Sequence, residues 1–259
     1  MTAACGGQLG LLRDISTANP GSVIQTATPP MTAAMENQPQ QRASDLRALA
    51  EAKLSTLSDA EKLLLEKVPT GDFAICGPND DKTDPGNDPK HADNWGPARQ
   101  VRAELIGWVC MDQNARKHVH WRGIQLHAAD VTGPLDLSFA NLPFPLALQL
   151  CHLKEAIDVR RAELSELDLQ GSLVGGISAD GVIVKNNVLL RYGFAALGVL
   201  WLPLAQIGGD LDCSEASFTN PPQEAVAGSG NARIADRTNV KGSVFLKKST
   251  FDGTVFLTS

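Results

Sequence analysis

A mainly β chain wound into a parallel solenoid and closed at its start by α-helices is the fold class this sequence predicts. Three observations predict it. A hydrophobic triplet recurs from about residue 131 onward, each apolar residue followed four positions later by a second and two further on by a third. Turn residues, several of them glycine, separate the triplets. Before residue 122 the apolar spacing changes to three and four, the period of a helix.

Val131/Leu135/Leu137, Leu142/Leu146/Leu148 and Leu153/Ile157/Val159 follow one another without a break. Leu173/Ile177/Ala179, Val184/Val188/Leu190, Ile207/Leu211/Cys213, Val240/Val244/Leu246 and Phe251/Val255/Leu257 continue the series. Leu164/Leu167/Leu169 and Phe194/Val199/Trp201 fit with a shift of one residue. Most starts are 11 residues apart, as in 131, 142 and 153. Helical-pair repeats need about 33 residues or more, so this period excludes them. The second and third members lie two apart, so the residue between them points the opposite way, as in a strand. Turns at Thr132-Gly133, Gly208-Gly209, Lys241-Gly242-Ser243 and Asp252-Gly253 supply the positive φ that a corner demands. One such unit cannot bury its own apolar face. Coils stacked roughly 4.8 Å apart can.

The blocks AADVTGPLDLSFANLPFPLAL, AQIGGDLDCSEASF and TNVKGSVFLKKSTF resemble bacterial pentapeptide-repeat-like β-helix proteins. The upstream stretch LSDAEKLLLEKVPTGDF is similar to the start of one branch of them, and the resemblance covers roughly residues 57–259. It implies a right-handed parallel β-helix with an N-terminal α-helical cap and four-sided coils, although the strict A-(D/N)-L-x-x pentapeptide is not kept. Some members of that branch are labelled membrane-associated oxidoreductases. The residues do not support that activity: there is no G-x-G-x-x-G opening a helix, no C-x-x-C, no G-x-S-x-G and no P-loop.

Residues 1–42 lack periodicity and are expected to be disordered, with Met31 or Met35 as alternative starts. They have no secretory pattern. A helical capping region over 43–121 comes next. Leu46, Leu49, Ala50, Leu54 and Leu57 mark one helix. Ser58-Asp59-Ala60-Glu61 is a capping box opening the next, which Pro69 and Gly71 stop. Residues 77–96 form an acidic loop. A third helix is expected from Gly96-Pro97 through Val101, Leu105, Trp108 and Val109. The β-helix itself spans 122–259, with excursions near 194–206 and 219–238. No comparable cap lies beyond the last triplet, so the final coil is expected to be covered by a partner or by further coils of a longer solenoid.

A hydrophobic content of 43% lets the 259 residues bury a core of one or two domains. Net charge is −6 with both signs interspersed and no Lys/Arg run, against nucleic acid as a partner. Five cysteines at irregular spacing are no disulfide framework and point to a cytoplasmic protein. Cys213, at an inward position, reads as a small buried hydrophobe. No stretch approaches 18 apolar residues, so no transmembrane segment is expected, which leaves peripheral membrane contact open.

The outward residue of each triplet is where a surface site would lie. Asp136 and Asp158 fall on one face about 5 Å apart, with Asp168 opposite and two coils from Asp212. A stacked carboxylate pair can share a proton or bind a cation, and it can equally be a solvated ladder. Leu189, Leu200, Phe245 and Phe256 place large apolar groups outward, as a partner surface does unless the excursions cover them. No cofactor or metal is expected. His118, His120 and His127 lack zinc spacing. Asp80, Asp81, Asp84 and Asp88 suggest calcium only loosely, because Lys82 stands where a ligand would be required.

Together these features point to a non-catalytic scaffold that pairs with a protein partner or with itself through its faces or C-terminal coil. The alternatives are a carbohydrate-active enzyme using Asp136 and Asp158, or a DNA mimic that binds topoisomerase.

Overall fold

The computed structural model describes residues 31–219, 235–252 and 257–258. Phe256, residues 1–30 and most of the 219–238 excursion lie outside the described residues. The chain divides into two units, Met1–Met35 and Glu36–Ser259, and the second contains the repeats and the cap.

Most strands of this second unit form four parallel faces, stacked into about four turns, and a separate two-stranded parallel sheet pairs Ala235–Asp236 with Leu257–Thr258. Around a coil in chain order, the first face carries the inward column Val101, Val131, Leu153, Val174, Ala196, Phe218 and Phe251. The second carries Leu135, Ile157, Ile177 and Leu200. The third carries Leu142, Leu164, Val184, Ile207 and Val240. The fourth carries Ile124, Leu146, Leu167, Val188, Leu211 and Val244. Leu126, Leu148, Leu169 and Leu190, all fully buried, line the inner side where the fourth face ends. Each such aliphatic side chain contributes about 1.5–3 kcal/mol by leaving water.

Two triplets shift by one residue. Val174, not Leu173, is inward, and the unit beginning at Phe194 has Ala196, Leu200 and Leu202 inside. Leu200 is 2% exposed, so its assignment as an outward, partner-facing residue is wrong; Trp201 takes the outward position in register with Ser178. The reason is a swap of volumes. Phe194 enters the core two residues early, where other coils carry Cys151, Ser172 and Ala216, and packs against Phe218 at 5.7 Å between ring centres. That bulk is matched by the small Ala196 in the column.

The corners differ from expectation too. Phe139, Arg161, Gly181 and Leu204 stack at one corner with φ of 60, 54, 62 and 58°. Ala128, Leu150, Gly171, Tyr192, Glu215 and Lys248 do the same at another, with φ between 52 and 68°. A side-chain-bearing residue in this region costs about 1–2 kcal/mol. Coil-to-coil hydrogen bonds offset it, such as Phe139 N–H to the Arg160 carbonyl at 2.9 Å and Arg161 N–H to Asp180 at 2.8 Å. At the other two corners glycine mainly serves close approach. A Cβ on Gly198 would lie 2.1 Å from the Gly175 carbonyl oxygen, and one on Gly208 would lie 2.2 Å from that of Lys185.

The cap is part helix and part strand. Helix α1 (Met31–Leu54) takes in residues 31–42, for which the sequence pattern predicts no structure, and buries Leu46, Ala50 and Leu54. Helix α2 (Asp59–Lys67) opens on the expected capping box, with Glu61 N–H donating to Ser58 Oγ at 3.0 Å and Ser58 N–H to Glu61 Oε2 at 2.9 Å. The helix expected from Pro97 begins only at Ala103; before it come a single turn (Pro97–Arg99) and a strand, Gln100–Arg102. Val101 is needed in the first inward column beside Val131, and only extended backbone reaches it. Helix α3 (Ala103–Met111) and the short α4 (Gln113–Arg116) complete the cap. Ala74–Ile75 likewise joins the fourth face, so parallel pairing starts well before residue 122. Arg102 bolts α2 to this layer: its Nε and Nη2 reach Glu61 at 2.7 and 2.8 Å, and its N–H reaches Oε1 at 3.0 Å.

Candidate functional site

Asp136 and Asp158 are neighbours in register on the second face, with Ser178 and Trp201 continuing that outward column. Asp158 is paired with an arginine. Asp158 receives Arg160 Nε at 2.9 Å and Nη2 at 2.5 Å. Those hydrogen bonds hold its carboxyl below the usual range against the opposing effect of burial. Asp158 is therefore held as the carboxylate.

A second geometry explains why aspartate recurs at outward positions. Asp136, Asp158, Asp168 and Asp212 each accept, on Oδ1, the backbone N–H two residues ahead, at 2.9, 3.0, 3.0 and 2.9 Å. Each also lies three residues before a left-handed corner residue: Phe139, Arg161, Gly171 and Glu215. The carboxylate caps the turn and fixes where the chain bends. The spacing of aspartate to corner is legible in the sequence once the corners are known.

The fourth face holds a connected polar group. Asp168 Oδ2 accepts Gln149 Nε2 at 2.6 Å and Gln170 Nε2 at 2.7 Å. Arg191 then donates Nε to Gln170 Oε1 at 3.2 Å and Nη1 to Asp212 Oδ2 at 3.0 Å, and lies 4.7 Å from the Tyr192 ring centre. Burial opposes ionisation of Asp212, but hydrogen bonds from Ser214 and Arg191 prevail and keep its pKa low. Asp168 and Asp212 are nearly buried, and every charged group in this chain of contacts has a partner. It is a strut along the solenoid axis. At its cap-side end, buried His127 stands edge-on to Phe73, with Nε2 unpaired, and burial holds its pKa down.

Among the apolar positions, Leu189 is half-buried between Asp168 and Asp212. Phe245 is 45% exposed. Cys76, Cys110, Cys151 and Cys213 are free thiols; burial pushes Cys76, Cys110 and Cys213 up to about 12 and Cys151 higher still, so none is a ready nucleophile. In the acidic loop, Asp81 caps Thr83, Asp84 binds Gly86 N–H and Asn79, and Asp88 caps Lys90. No three His, Cys, Asp or Glu side chains converge to hold a metal among the described residues.

No protein-family model matches the chain, and no curated protein or solved structure matches it. The likeness to pentapeptide-repeat proteins therefore carries the β-solenoid architecture and nothing further. Among the described residues, no helix is long and apolar enough to cross a membrane.

Residues 116–122, where arginine, lysine, histidine and tryptophan alternate, stand out only in three dimensions. No two cations of this segment except Arg116 and Lys117 are adjacent, so a search for charge runs misses it.

Proposed function

We propose that this chain is a non-catalytic solenoid scaffold that pairs with a second copy of itself through its last described coil. One observation carries the reading. Val244 and Leu246 occupy inward positions yet are 46 and 41% exposed, whereas their counterparts one coil earlier, Leu211 and Cys213, are 5 and 3% exposed. Phe245 between them adds an outward apolar group. Strands Val244–Phe245 and Thr250–Asp252 end their sheets among the described residues, leaving hydrogen-bonding edges beside this apolar surface. A coil from a second copy satisfies both needs in the way each coil already satisfies its neighbour. The free buried thiols support a reducing, cytoplasmic setting.

Light scattering on the full chain tests it. The protein should run as a dimer, and Val244→Asp should convert it to a monomer with an unchanged circular dichroism spectrum. A wild-type protein that stays monomeric up to concentrations of about 100 μM, a Kd limit corresponding to weak association, sinks the proposal.

A further inference from the structure

The loop from Arg116 to Gly123 carries three cations, Arg116, Lys117 and Arg122, together with His118, His120 and Trp121. None of the three cations enters an ion pair among the described residues, in a chain whose net charge is −6. Trp121 is 73% exposed, with the Arg122 guanidinium 5.2 Å from its ring centre and the His120 ring tilted against it at 5.2 Å. Between this loop and the Pro143–Pro145 corner lies an open groove of about 640 Å³. Arg116, Lys117, His120 and Trp121 line one side, and Val119 and Phe144 give it an apolar floor.

The loop is held rather than loose. Asp112 caps α4 through the N–H groups of Asn114 and Ala115, and Val119 N–H closes on the Arg116 carbonyl at 3.1 Å. His120 N–H donates to the Val68 carbonyl at 3.1 Å, and its Nδ1 packs where a Cβ on Gly71 would lie 2.3 Å away. Arg42 Nη2 holds the Lys117 carbonyl at 2.9 Å. At the far end Gly123, with φ of 82°, leaves room for the Pro145 carbonyl oxygen, 1.8 Å from where its Cβ would stand. A cationic and aromatic cluster pinned at both ends meets a ligand without first ordering itself.

We propose that this groove binds a small ligand joining an anionic group to a ring whose face can lie against an indole, a property shared by nucleotides through the flat base and by acidic saccharides through the C–H face of the sugar. Arginine and lysine supply charged donors for a phosphate or carboxylate, and the exposed indole with the apolar floor supplies a stacking surface. The borders of the groove limit the size of the ligand. Along the solenoid the next coil presents exposed Glu163 in register with Asn141, and the Glu166 carbonyl meets Leu146 N–H just past Pro145. Towards the cap, Asp72 is the neighbour of the Gly71 that abuts His120. A long polyanion would run from the basic loop onto these carboxylates, whereas a short one stays within the groove.

Calorimetry on the full chain at low salt tests this, with adenosine 5′-monophosphate and digalacturonate as probes and inorganic phosphate and adenosine as the two half-ligands. At least one probe should bind with a Kd below about 1 mM. Trp121→Ala and Arg116→Ala should each weaken it about tenfold or more while leaving the thermal midpoint unchanged. Which probe binds distinguishes a nucleotide from a saccharide. Failure of both probes overturns the proposal, as does binding that phosphate alone reproduces and Trp121→Ala leaves intact. Binding seen only with an oligonucleotide or with anionic vesicles overturns it as well. None of these readouts depends on self-association, so this site and the proposed dimer stand or fall separately.

Discussion

The outward aspartates show how one residue type serves two different energetic roles within a single repeat. Asp136 is exposed and caps one N–H, whereas Asp168 is 8% exposed and also collects the side-chain amides of Gln149 and Gln170. Asp168→Ala strands two buried amide donors, at a cost of about 2–3 kcal/mol. Asp136→Ala loses a single solvent-accessible turn bond, worth about 1 kcal/mol or less. Urea denaturation should separate the two variants in that order. Equal losses would mean that the fourth-face strut contributes nothing beyond its turn. At this scale the sequence shows where an aspartate stands but not what reaches it, because Gln149 and Asp168 lie 19 residues apart.

At the scale of elements, the cap and the coils are joined by Arg102. Its guanidinium binds Glu61, whose side chain is 2% exposed, and also donates to the Thr56 carbonyl at 2.8 Å. Burial alone would raise the pKa of Glu61, yet hydrogen bonds from Arg102 and Ser58 lower it, so the buried carboxylate is charged and dependent on its partner. Arg102→Ala should cost about 2–3 kcal/mol, less than a fully buried pair because Arg102 is a third exposed. The thermal midpoint measures this, and a loss no larger than that of an ordinary surface substitution would show that the cap is held by apolar packing alone. The capping box of α2 is local and legible in the sequence. The strand at Gln100–Arg102 is not, since its residues also fit a helical face and only pairing with Val131 decides between the two.

Across the whole molecule, each coil is stabilised almost entirely by its immediate neighbours, which makes stability depend on position along the axis. Strands from Ile124–His127 to Leu211–Asp212 have a paired strand on both sides in the fourth face. Val244–Phe245 has one neighbour, and its inward side chains are largely uncovered. Hydrogen exchange on a dilute sample should therefore show protection falling sharply between residues 213 and 244, by open-state free energies of about 2 kcal/mol or more. Uniform protection through residue 250 would show that the last coil is covered, and in a Val244→Asp sample the gradient should persist even at high concentration.

The sequence by itself determined that this chain is a parallel solenoid, because apolar residues two apart, recurring every 11 positions, have no other way to be buried together. It also determined the start of α2 and the inward place of Cys213, since both depend on residues adjacent in the chain. Tertiary structure decided the rest. It placed Leu200 inside, because the register of Ile177 outweighs the local pattern around Phe194. It showed Asp136 and Asp158 capping their turns through corner N–H groups, with Arg160 bound to Asp158. It also assembled the groove beside Trp121 from the loop at 116–122 and the corner at 143–145, two segments that neither charge runs nor periodicity connects. The physical reason is the same in each case: periodicity states which side of a strand must leave water, and only contact between coils states what each remaining side chain touches.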